Sequence, residues 1–308
     1  MKKLAVIGYP IAHSISPALH GAALESCGID ASYVRQEVKP ADLPAFLAAL
    51  RDGSWLGINV TVPHKEAVIP FLEELTPEAR AIGAVNTVTV SGGRLIGYNT
   101  DGVGFLRSLE EHGRFDLEGQ KVVVLGSGGA ARAVAWSLCR GGAAQVSLCN
   151  RHLERAQRLA AVAAGWQTRT TVMAEPWDLA SMGERIAEAG LLVNATSVGL
   201  AAHETPLPAD LVAEGILVVD LIYNPRPTRL LREARARGAR TLDGLPMLVY
   251  QGAAAFELWT GQKAPVEAMF AAAETALGAS HQPSDVSHQP SHHLDPLPEK
   301  EGRRQRDV

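Results

Sequence analysis

Four short segments in the first third of the chain carry polar side chains at positions that packing alone does not explain. They supply hydroxyls, amides, a lysine and a carboxylate: Ser14, Ser16, Asn59, Thr61, Lys65, Asn86 and Asp101. Asn59 and Thr61 alternate on one face of a predicted strand, and Lys65 follows at its carboxyl end. Since α/β folds bind ligands beyond the carboxyl ends of parallel strands, these residues predict a polar binding site.

Each of these segments also has a purely structural explanation. Ser14 and Ser16 are suited to capping a helix that begins at Pro17. Asn86 fits a turn, and Asp101 is suited to capping the helix that follows it. A single lysine is usually solvated, as long charged side chains mostly are. The occurrence of all these groups together favours a binding site over four unrelated structural roles.

A glycine-rich turn is the second candidate site. A continuous apolar strand ends at Leu125 and is followed by Gly126-Ser127-Gly128-Gly129-Ala130-Ala131 and a predicted helix. Gly126 allows a tight turn, Gly128 lets the backbone approach a pyrophosphate, and Ala131 permits close packing of helix on strand. The free N–H groups at the start of the helix then face the anion. This strand–turn–helix context predicts dinucleotide binding rather than a turn alone.

The end of the next strand indicates which dinucleotide. NAD-binding folds carry an acidic residue about 20 positions after the glycine turn, where it binds the ribose 2′-hydroxyl. Here the strand ends in Asn150 and Arg151, with Arg155 one helical turn further. Two guanidinium groups are suited to a 2′-phosphate, whereas arginines that merely solvate a helix start would oppose its dipole. The predicted cofactor is therefore NADP.

Strand-like and helix-like runs alternate along the chain, which favours an α/β fold with mainly parallel sheets. We expect two domains, an N-terminal α/β substrate domain and a Rossmann-like, doubly wound NADP-binding domain. The predicted boundaries are 1–102 for the substrate-binding and catalytic domain and 103–240 for the NADP-binding domain. Helices within 241–278 complete the first domain. Residues 279–308 are poor in apolar side chains and are expected to form a disordered tail.

The hydrophobic pattern also predicts individual elements. In the first domain it indicates a strand over 57–62, a helix near 65–75, and a hairpin that joins 85–90 to 95–98 through Ser91-Gly92-Gly93. Continuous apolar runs, typical of strands buried on both faces, occur at 121–125, 145–149, 191–194 and 216–221. Two late helices are predicted at about 245–260 and 265–277.

Taken in order, these motifs resemble those of the shikimate dehydrogenase family. The resemblance is carried by Ser-x-Ser-Pro, Asn-Val-Thr-x-Pro-x-Lys, Gly-Ala-Val-Asn-Thr, Asn-Thr-Asp-Gly, the glycine turn, Asn194-Ala195-Thr196-Ser197, Asp220-Leu221-Ile222-Tyr223-Asn224-Pro225 and the segment Gly244 to Ala254. It extends over residues 4–277. One departure is Gly21 after His20, where the family commonly has Asn, and it touches no expected contact.

The resemblance implies NADPH-dependent, reversible reduction of 3-dehydroshikimate to shikimate, an oxidoreductase step of chorismate and aromatic amino-acid biosynthesis. By position, Lys65 and Asp101 would form the catalytic acid–base pair and also contact the substrate. Ser14 and Ser16 would hold the substrate carboxylate, with Tyr223 nearby. The ring hydroxyls would be held by Asn59, Thr61, Asn86, Asp101 and Gln251. NADP would contact Gly126, Ser127, Gly128, Gly129, Ala130, Asn150, Arg151 and Arg155, with Thr196, Leu221, Gly244 and Met247 along its ribose and nicotinamide.

The implied chemistry suits these residue types. Hydride transfer to a ketone builds negative charge on its oxygen, so a proton donor must lie within hydrogen-bond reach. A lysine held by a carboxylate can be that donor, although the sequence leaves open whether Lys65 transfers the proton or only positions the substrate. Two alternatives stay open. One is a quinate/shikimate dehydrogenase of broader cofactor use. Such an enzyme should carry an acidic residue near position 150, where this chain has Asn150. The other is a non-catalytic NADP-binding sensor, which should have lost Lys65 or Asp101.

Composition narrows the classes of partner. The chain has 308 residues and a formal net charge of -4, which argues against nucleic-acid binding. No apolar run approaches the length of a membrane span. Cys27, Cys139 and Cys149 form no C-x-x-C pair, so neither disulfides nor a zinc site is indicated, and His292-His293 are expected to bind no metal. We expect a cytoplasmic protein with a small-molecule substrate, and the sequence leaves a homodimer open.

Overall fold

Residues 1–279 are described in a computed structural model and fold around two six-stranded sheets. Ala279, the first residue of the predicted tail, ends the last helix, and the rest of that tail with its two adjacent histidines lies outside the described residues. The first sheet contains β1 (Lys2–Gly8), β2 (Ala31–Glu37), β3 (Trp55–Val60), β4 (Glu74–Leu75), β5 (Thr87–Ser91) and β6 (Arg94–Tyr98). The second contains β7 (Lys121–Leu125), β8 (Gln145–Asn150), β9 (Thr171–Pro176), β10 (Leu191–Asn194), β11 (Leu217–Asp220) and β12 (Arg240–Leu242).

Helices connect and cover these strands. They are α1 (Ser16–Ser26), α2 (Leu43–Ala49), α3 (His64–Ala67), α4 (Pro77–Ile82), α5 (Asp101–Ser108), α6 (Gly129–Arg140), α7 (Leu153–Ala163), α8 (Leu179–Ala187), α9 (Arg229–Ala236), α10 (Leu245–Thr260) and α11 (Val266–Ala279). In residues 1–279, no helix combines the length and the apolar character that crossing a membrane would require.

The first sheet is mixed, with strand order β2-β1-β3-β5-β6-β4. Parallel strands β2, β1 and β3 meet the β5–β6 hairpin, and β5 runs antiparallel to β3. Asn59 therefore lies opposite Thr87, which in turn lies opposite Tyr98. This register brings the end of β3, the start of β5 and the end of β6 to one edge of the sheet, where the predicted polar residues are.

The predicted helix near 65–75 is wrong. The α-helical part ends at Ala67, a 3₁₀ turn covers Ile69–Phe71, and β4 then pairs with β6. Pro70 has no N–H to continue a helix. Glu73 draws the chain to the sheet instead, because its carboxylate accepts the Leu95 N–H at 2.6 Å while its own N–H bonds to the Leu95 carbonyl.

The second sheet is entirely parallel, with order β9-β8-β7-β10-β11-β12. In chain order this is the 3-2-1-4-5-6 arrangement of doubly wound dinucleotide-binding folds. The order reverses between β7 and β10, which opens a crevice at their carboxyl ends. The apolar runs that predicted these strands are buried in the centre of the sheet, where Val124, Val193 and Val218 are fully enclosed.

The last two helices return to the first sheet. One apolar cluster joins Leu4 and Leu19 to Phe256, Trp259 and Met269 from α10 and α11. Helix α5 packs against both α10 and α6, so it lies between the two sheets with its first residue, Asp101, beside the polar edge.

Candidate active site

The most closely paired groups at this edge are Lys65 and Asp101. The Lys65 Nζ lies 2.5 Å from Asp101 Oδ2, and the two side chains are 15% and 7% exposed. Asp101 does not cap α5 by its side chain; its carboxylate points to the lysine, and its backbone N–H donates to Asn99 Oδ1. The pair is therefore a nearly enclosed ammonium–carboxylate contact.

Asn86 is the centre of the hydrogen bonds around this pair. Its Nδ2 lies within bonding distance of Asp101 Oδ1, Thr100 Oγ1 and Gln251 Oε1, at 2.8, 2.9 and 3.1 Å. Its Oδ1 accepts from the Thr100 N–H at 2.7 Å. Because Gln251 comes from α10, this amide joins the C-terminal helices to the edge of the first sheet.

Asn59 is also at this edge, but its amide is engaged by the protein. The Tyr33 hydroxyl donates to Asn59 Oδ1 at 2.6 Å, and Asn59 Nδ2 donates to the Asn86 carbonyl and to Thr87 Oγ1. Thr61, one pleat further, makes no side-chain hydrogen bond within residues 1–279. The Thr61 hydroxyl is therefore more available to bind a ligand than the Asn59 amide.

The two predicted serines form one short segment. Ser14 Oγ and Ser16 Oγ are 3.1 Å apart, and the Ser16 N–H donates to Ser14 Oγ. Neither serves as the N-cap of α1, whose capping residue is Ile15. Tyr223 reaches this segment from the loop after β11, where its hydroxyl bonds to the Ile15 backbone, and burial raises the pKa of its phenol. Three hydroxyls thus belong to, or bond to, the segment from Ser14 to Ser16.

The glycine turn lies at the crevice of the second sheet. Gly126 has φ +108°, which other residues rarely adopt, and a Cβ there would lie 3.0 Å from the Ala195 carbonyl oxygen. Gly128 faces open space with no atom within 4 Å of a Cβ position. Gly129 faces the catalytic candidate, since a Cβ on it would lie 3.3 Å from the Lys65 side chain.

These features fit a dinucleotide. The turn leaves room for a pyrophosphate at Gly128, and the first N–H groups of the 12-residue helix α6 face that space without intrahelical partners. Arg151 and Arg155 are exposed at the exit of β8, and neither has an acidic partner within residues 1–279. Asn150 closes the turn between them by donating to the His152 carbonyl at 2.9 Å.

The remaining predicted cofactor residues line the other side of the crevice. Thr196 bonds through both N–H and Oγ1 to Asn194 Oδ1, and Asn194 Nδ2 donates to Asp220 Oδ1 at 3.0 Å. Burial raises the pKa of Asp220 to about 6, although hydrogen bonds from Thr228 and others oppose the change. The chain then continues through Leu221, which is close to Gly244 at the start of α10, one turn before Met247.

Tyr33 and Arg35 were not identified from the sequence, whereas Thr87, Asn99 and Thr100 lie within the predicted polar segments but had no role assigned to them. Tyr33, Thr87, Asn99 and Thr100 complete the hydrogen bonds, and Arg35 Nε donates to the Ser14 carbonyl at 2.6 Å. The alternation of β2 was the one available signal, because it places Tyr33 and Arg35 on the same face. In the part of the chain that the structure describes, no cluster of His, Cys, Asp and Glu suited to a metal ion occurs.

Together, the fold and the two sites define a class of protein. It is a two-sheet α/β enzyme whose glycine turn for a dinucleotide faces a buried lysine–carboxylate pair in a polar pocket.

Comparisons with known proteins identify the family within this class. Three family models match: the shikimate dehydrogenase substrate binding domain over residues 6–88, shikimate / quinate 5-dehydrogenase over 109–232, and the shikimate 5'-dehydrogenase C-terminal domain over 244–274. The NADP(+) shikimate dehydrogenase of Moorella thermoacetica is 49% identical over 90% of this chain and 94% of its own length. The chain belongs to the shikimate dehydrogenase family.

Two solved structures illustrate the range of this family. Shikimate 5-dehydrogenase from Thermus thermophilus, in complex with NADP(H) and shikimate, has a TM-score of 0.81 and 45% identity, covering 90% of this chain and 100% of that one. Quinate dehydrogenase from Corynebacterium glutamicum, in complex with NAD, has a TM-score of 0.82 and 34% identity, covering 89% and 99%.

Proposed function

We propose that this protein is an NADP-dependent shikimate dehydrogenase that reversibly reduces 3-dehydroshikimate to shikimate for chorismate and aromatic amino-acid biosynthesis. The observation that carries the proposal is the ion pair of Lys65 and Asp101, 2.5 Å apart, with the lysine stem in contact with Gly129 of the glycine turn. A proton donor and a dinucleotide site are thereby adjacent, as ketone reduction requires.

The polar pocket binds and orients the substrate in this proposal. The hydroxyls of Ser14, Ser16 and Tyr223 donate to the carboxylate, while Thr61, Asn86 and Gln251 bond to the ring hydroxyls. Because these groups are largely buried, an analogue that lacks a hydroxyl leaves a polar atom unpaired and binds less well. Asn59 supports the pocket indirectly, because its amide holds the Thr87 hydroxyl and the Asn86 carbonyl in place.

The catalytic pair handles the proton. NADPH, when bound along the glycine turn, supplies the hydride. Lys65 Nζ donates its proton to the ketone oxygen as negative charge develops there, and in the oxidative direction it takes the proton back. Asp101 keeps the ammonium group aimed at that oxygen, and Asn86 fixes the second carboxylate oxygen of Asp101. Arg151 and Arg155 would bind the 2′-phosphate.

A second candidate function is oxidation of quinate with NAD, and the likeness to the Corynebacterium glutamicum quinate dehydrogenase favours it. The unpaired Arg151 and Arg155, and the lack of a carboxylate at position 150, favour NADP instead.

Nicotinamide absorbance distinguishes the two functions when shikimate or quinate is offered with NADP or NAD. We expect rapid reduction of the cofactor with shikimate and NADP only. Comparable rates with quinate or NAD would assign the protein to the broader dehydrogenases. No turnover in all four reactions, with NADP still bound, would support the non-catalytic sensor.

A further inference from the structure

Strand β2 lies beside the segment that contains the two serines. It is the edge strand of the first sheet, and Tyr33 and Arg35 are two residues apart on it, so their side chains share a face. The Tyr33 hydroxyl bonds to Asn59 and to the Ser16 side chain. Arg35 Nε donates to the Ser14 carbonyl at 2.6 Å. Both side chains therefore fix the serine segment.

Arg35 has no counter-ion within residues 1–279. No carboxylate lies within 4 Å of its guanidinium group in residues 1–279, and its two Nη atoms make no hydrogen bond there. Arg51 and Arg94, by contrast, pair with Glu73 and Glu74. Arg35 is exposed, and its unneutralised positive charge lies next to the serine segment through the bond of its Nε to the Ser14 carbonyl.

This charge also acts on the third hydroxyl of the pocket. The Arg35 guanidinium lowers the pKa of Tyr223, partly opposing the increase caused by burial. Tyr223 bonds to the Ile15 backbone, between the two serines, so Arg35 is near the hydroxyl of Tyr223 as well as the Ser14 carbonyl.

We propose that Arg35 supplies the positive charge by which the Ser14, Ser16 and Tyr223 pocket selects a carboxylate over a neutral group. The proposal rests on the function proposed above, in which this pocket holds the substrate carboxylate. Hydroxyl donors bind a carboxylate and an ester carbonyl by the same hydrogen bonds. A carboxylate that leaves water also loses hydration, and a nearby cation offsets that loss. Arg35 is accordingly a positioning and specificity residue, with its Nε bond keeping the charge beside the loop.

The test compares an anionic ligand with its neutral counterpart. Dissociation constants for shikimate and for shikimate methyl ester are measured by calorimetry on the wild type and on Arg35→Gln, Arg35→Lys and the control Arg94→Gln. The control removes one positive charge from the same sheet at an exposed site. We expect Arg35→Gln to weaken shikimate about tenfold while the ester changes less than about twofold, because one partly exposed charge interaction is lost. Arg35→Lys should keep most of the preference, and Arg94→Gln all of it.

Two further readouts separate this role from a structural one. In the wild type, added salt should weaken shikimate binding more than ester binding, and Arg35→Gln should abolish that difference. Turnover of Arg35→Gln should show a raised KM with kcat nearly unchanged. Equal weakening of acid and ester, or an unchanged preference in Arg35→Gln, would overturn the proposal even if shikimate is turned over. Selective binding of shikimate by the wild type without any turnover would refute the proposed function and still support the role of Arg35.

Discussion

The lysine of the candidate site is held by residues from three different parts of the chain. Asp101 receives Lys65 on one carboxylate oxygen and Asn86 on the other, and Asn86 in turn bonds to Gln251. Every one of these side chains is at least mostly enclosed, so the ammonium group has few alternative positions. A preorganised donor of this kind loses little entropy when the substrate arrives.

Replacing Lys65 by Ala should therefore reduce kcat roughly a hundredfold, the usual contribution of a positioned general acid. The dissociation constant for NADP should change less than about threefold, because only the stem of Lys65 contacts the glycine turn. Stopped-flow turnover and NADP titration by fluorescence measure the two effects, with the exposed Lys263→Ala as control. Near-normal turnover in Lys65→Ala would remove this residue from the mechanism.

The cofactor arginines allow a second test at this scale. Replacing Arg151 and Arg155 together by Ala should weaken NADP on the order of a hundredfold and NAD less than about threefold, because charge-assisted bonds to the 2′-phosphate are lost. Titration of both cofactors gives the ratio. Arg158→Ala, on the exposed face of the same helix, is the matched control. Equal losses for NADP and NAD would refute the 2′-phosphate assignment.

Sequence patterns located the site residues that carry chemical groups and some of those that hold them, such as Asn86, but not all. Ser14, Lys65 and Asp101 belong to motifs that are visible locally. Tyr33 could not be assigned to Asn59 in the same way, because the two are 26 residues apart and meet only through the register of three strands. A local pattern shows that Tyr33 is on a strand face and does not show which partner its hydroxyl finds.

For individual strands and helices, the degree of burial decides how well the hydrophobic pattern of the sequence predicts them. The strands at 121–125 and 191–194 and the helix at 245–260 have the bounds expected from their apolar patterns. Strands β9 and β12 were missed because they lie at the two edges of the second sheet, where side chains are only partly buried. The short β4 was mistaken for the end of a helix for a related reason, since two residues carry no periodicity.

Close packing of α10 on β3 gives a prediction at this scale. A Cβ on Gly57 would collide with the Val88 carbonyl oxygen and the Trp259 indole, which hydrogen-bond to each other at 3.0 Å. Gly57→Ala should lower the free energy of unfolding by roughly 2–3 kcal/mol. Gly21→Ala, in α1, has no atom within 4 Å and should be neutral or stabilising. Urea denaturation checks both, and equal midpoints for the two variants would contradict the packing argument.

In the molecule as a whole, several contacts join the two halves of the chain, among them the bond from Trp166 Nε1 to the Ala81 carbonyl at 3.0 Å. Helix α5 packs on α6 and on α10, Gly129 touches Lys65, and Arg132 of α6 lies 3.6 Å from Glu66 beside that lysine. The division at 102 and 240, the cytoplasmic location, the homodimer and the disordered tail remain predictions. The sequence could not indicate how closely the substrate half and the cofactor half of the chain pack together, because these contacts join residues that are distant in the chain.

The stability of the whole molecule should depend on pH through His20. Burial lowers the pKa of His20 to about 3, opposed only weakly by the Asn59 side chain, and the ring stacks on Tyr33 at 4.3 Å. Between its ordinary pKa and about 3, the unfolded chain binds a proton that the folded protein does not. Stability is therefore complete above pH 6.5 and is lost on acidification towards pH 3, by an amount on the order of 5 kcal/mol for this group.

Asp220 acts in the opposite direction. Its pKa of about 6 lets the folded protein take up a proton first, so it adds stability as the pH falls from about 6 towards 4.

The role of His20 is tested by urea denaturation of the wild type and His20→Phe between pH 7 and pH 4. The free energy of unfolding should depend less on pH in the variant. The exposed His203→Gln serves as control. Parallel profiles for wild type and His20→Phe would exclude His20 as the source of the acid sensitivity.

The contact between Gly129 and Lys65 limits how the two halves of this protein can be exchanged with those of relatives. A grafted cofactor half with alanine at this position would place a methyl group 3.3 Å from the Lys65 stem, so that the stem would have to shift by a few tenths of an ångström. Chimeras built at the junction before α6 should therefore keep glycine here or carry α3 along with the turn. The choice of residue at Gly129 is therefore constrained by the substrate half of the protein as well as by the nucleotide half.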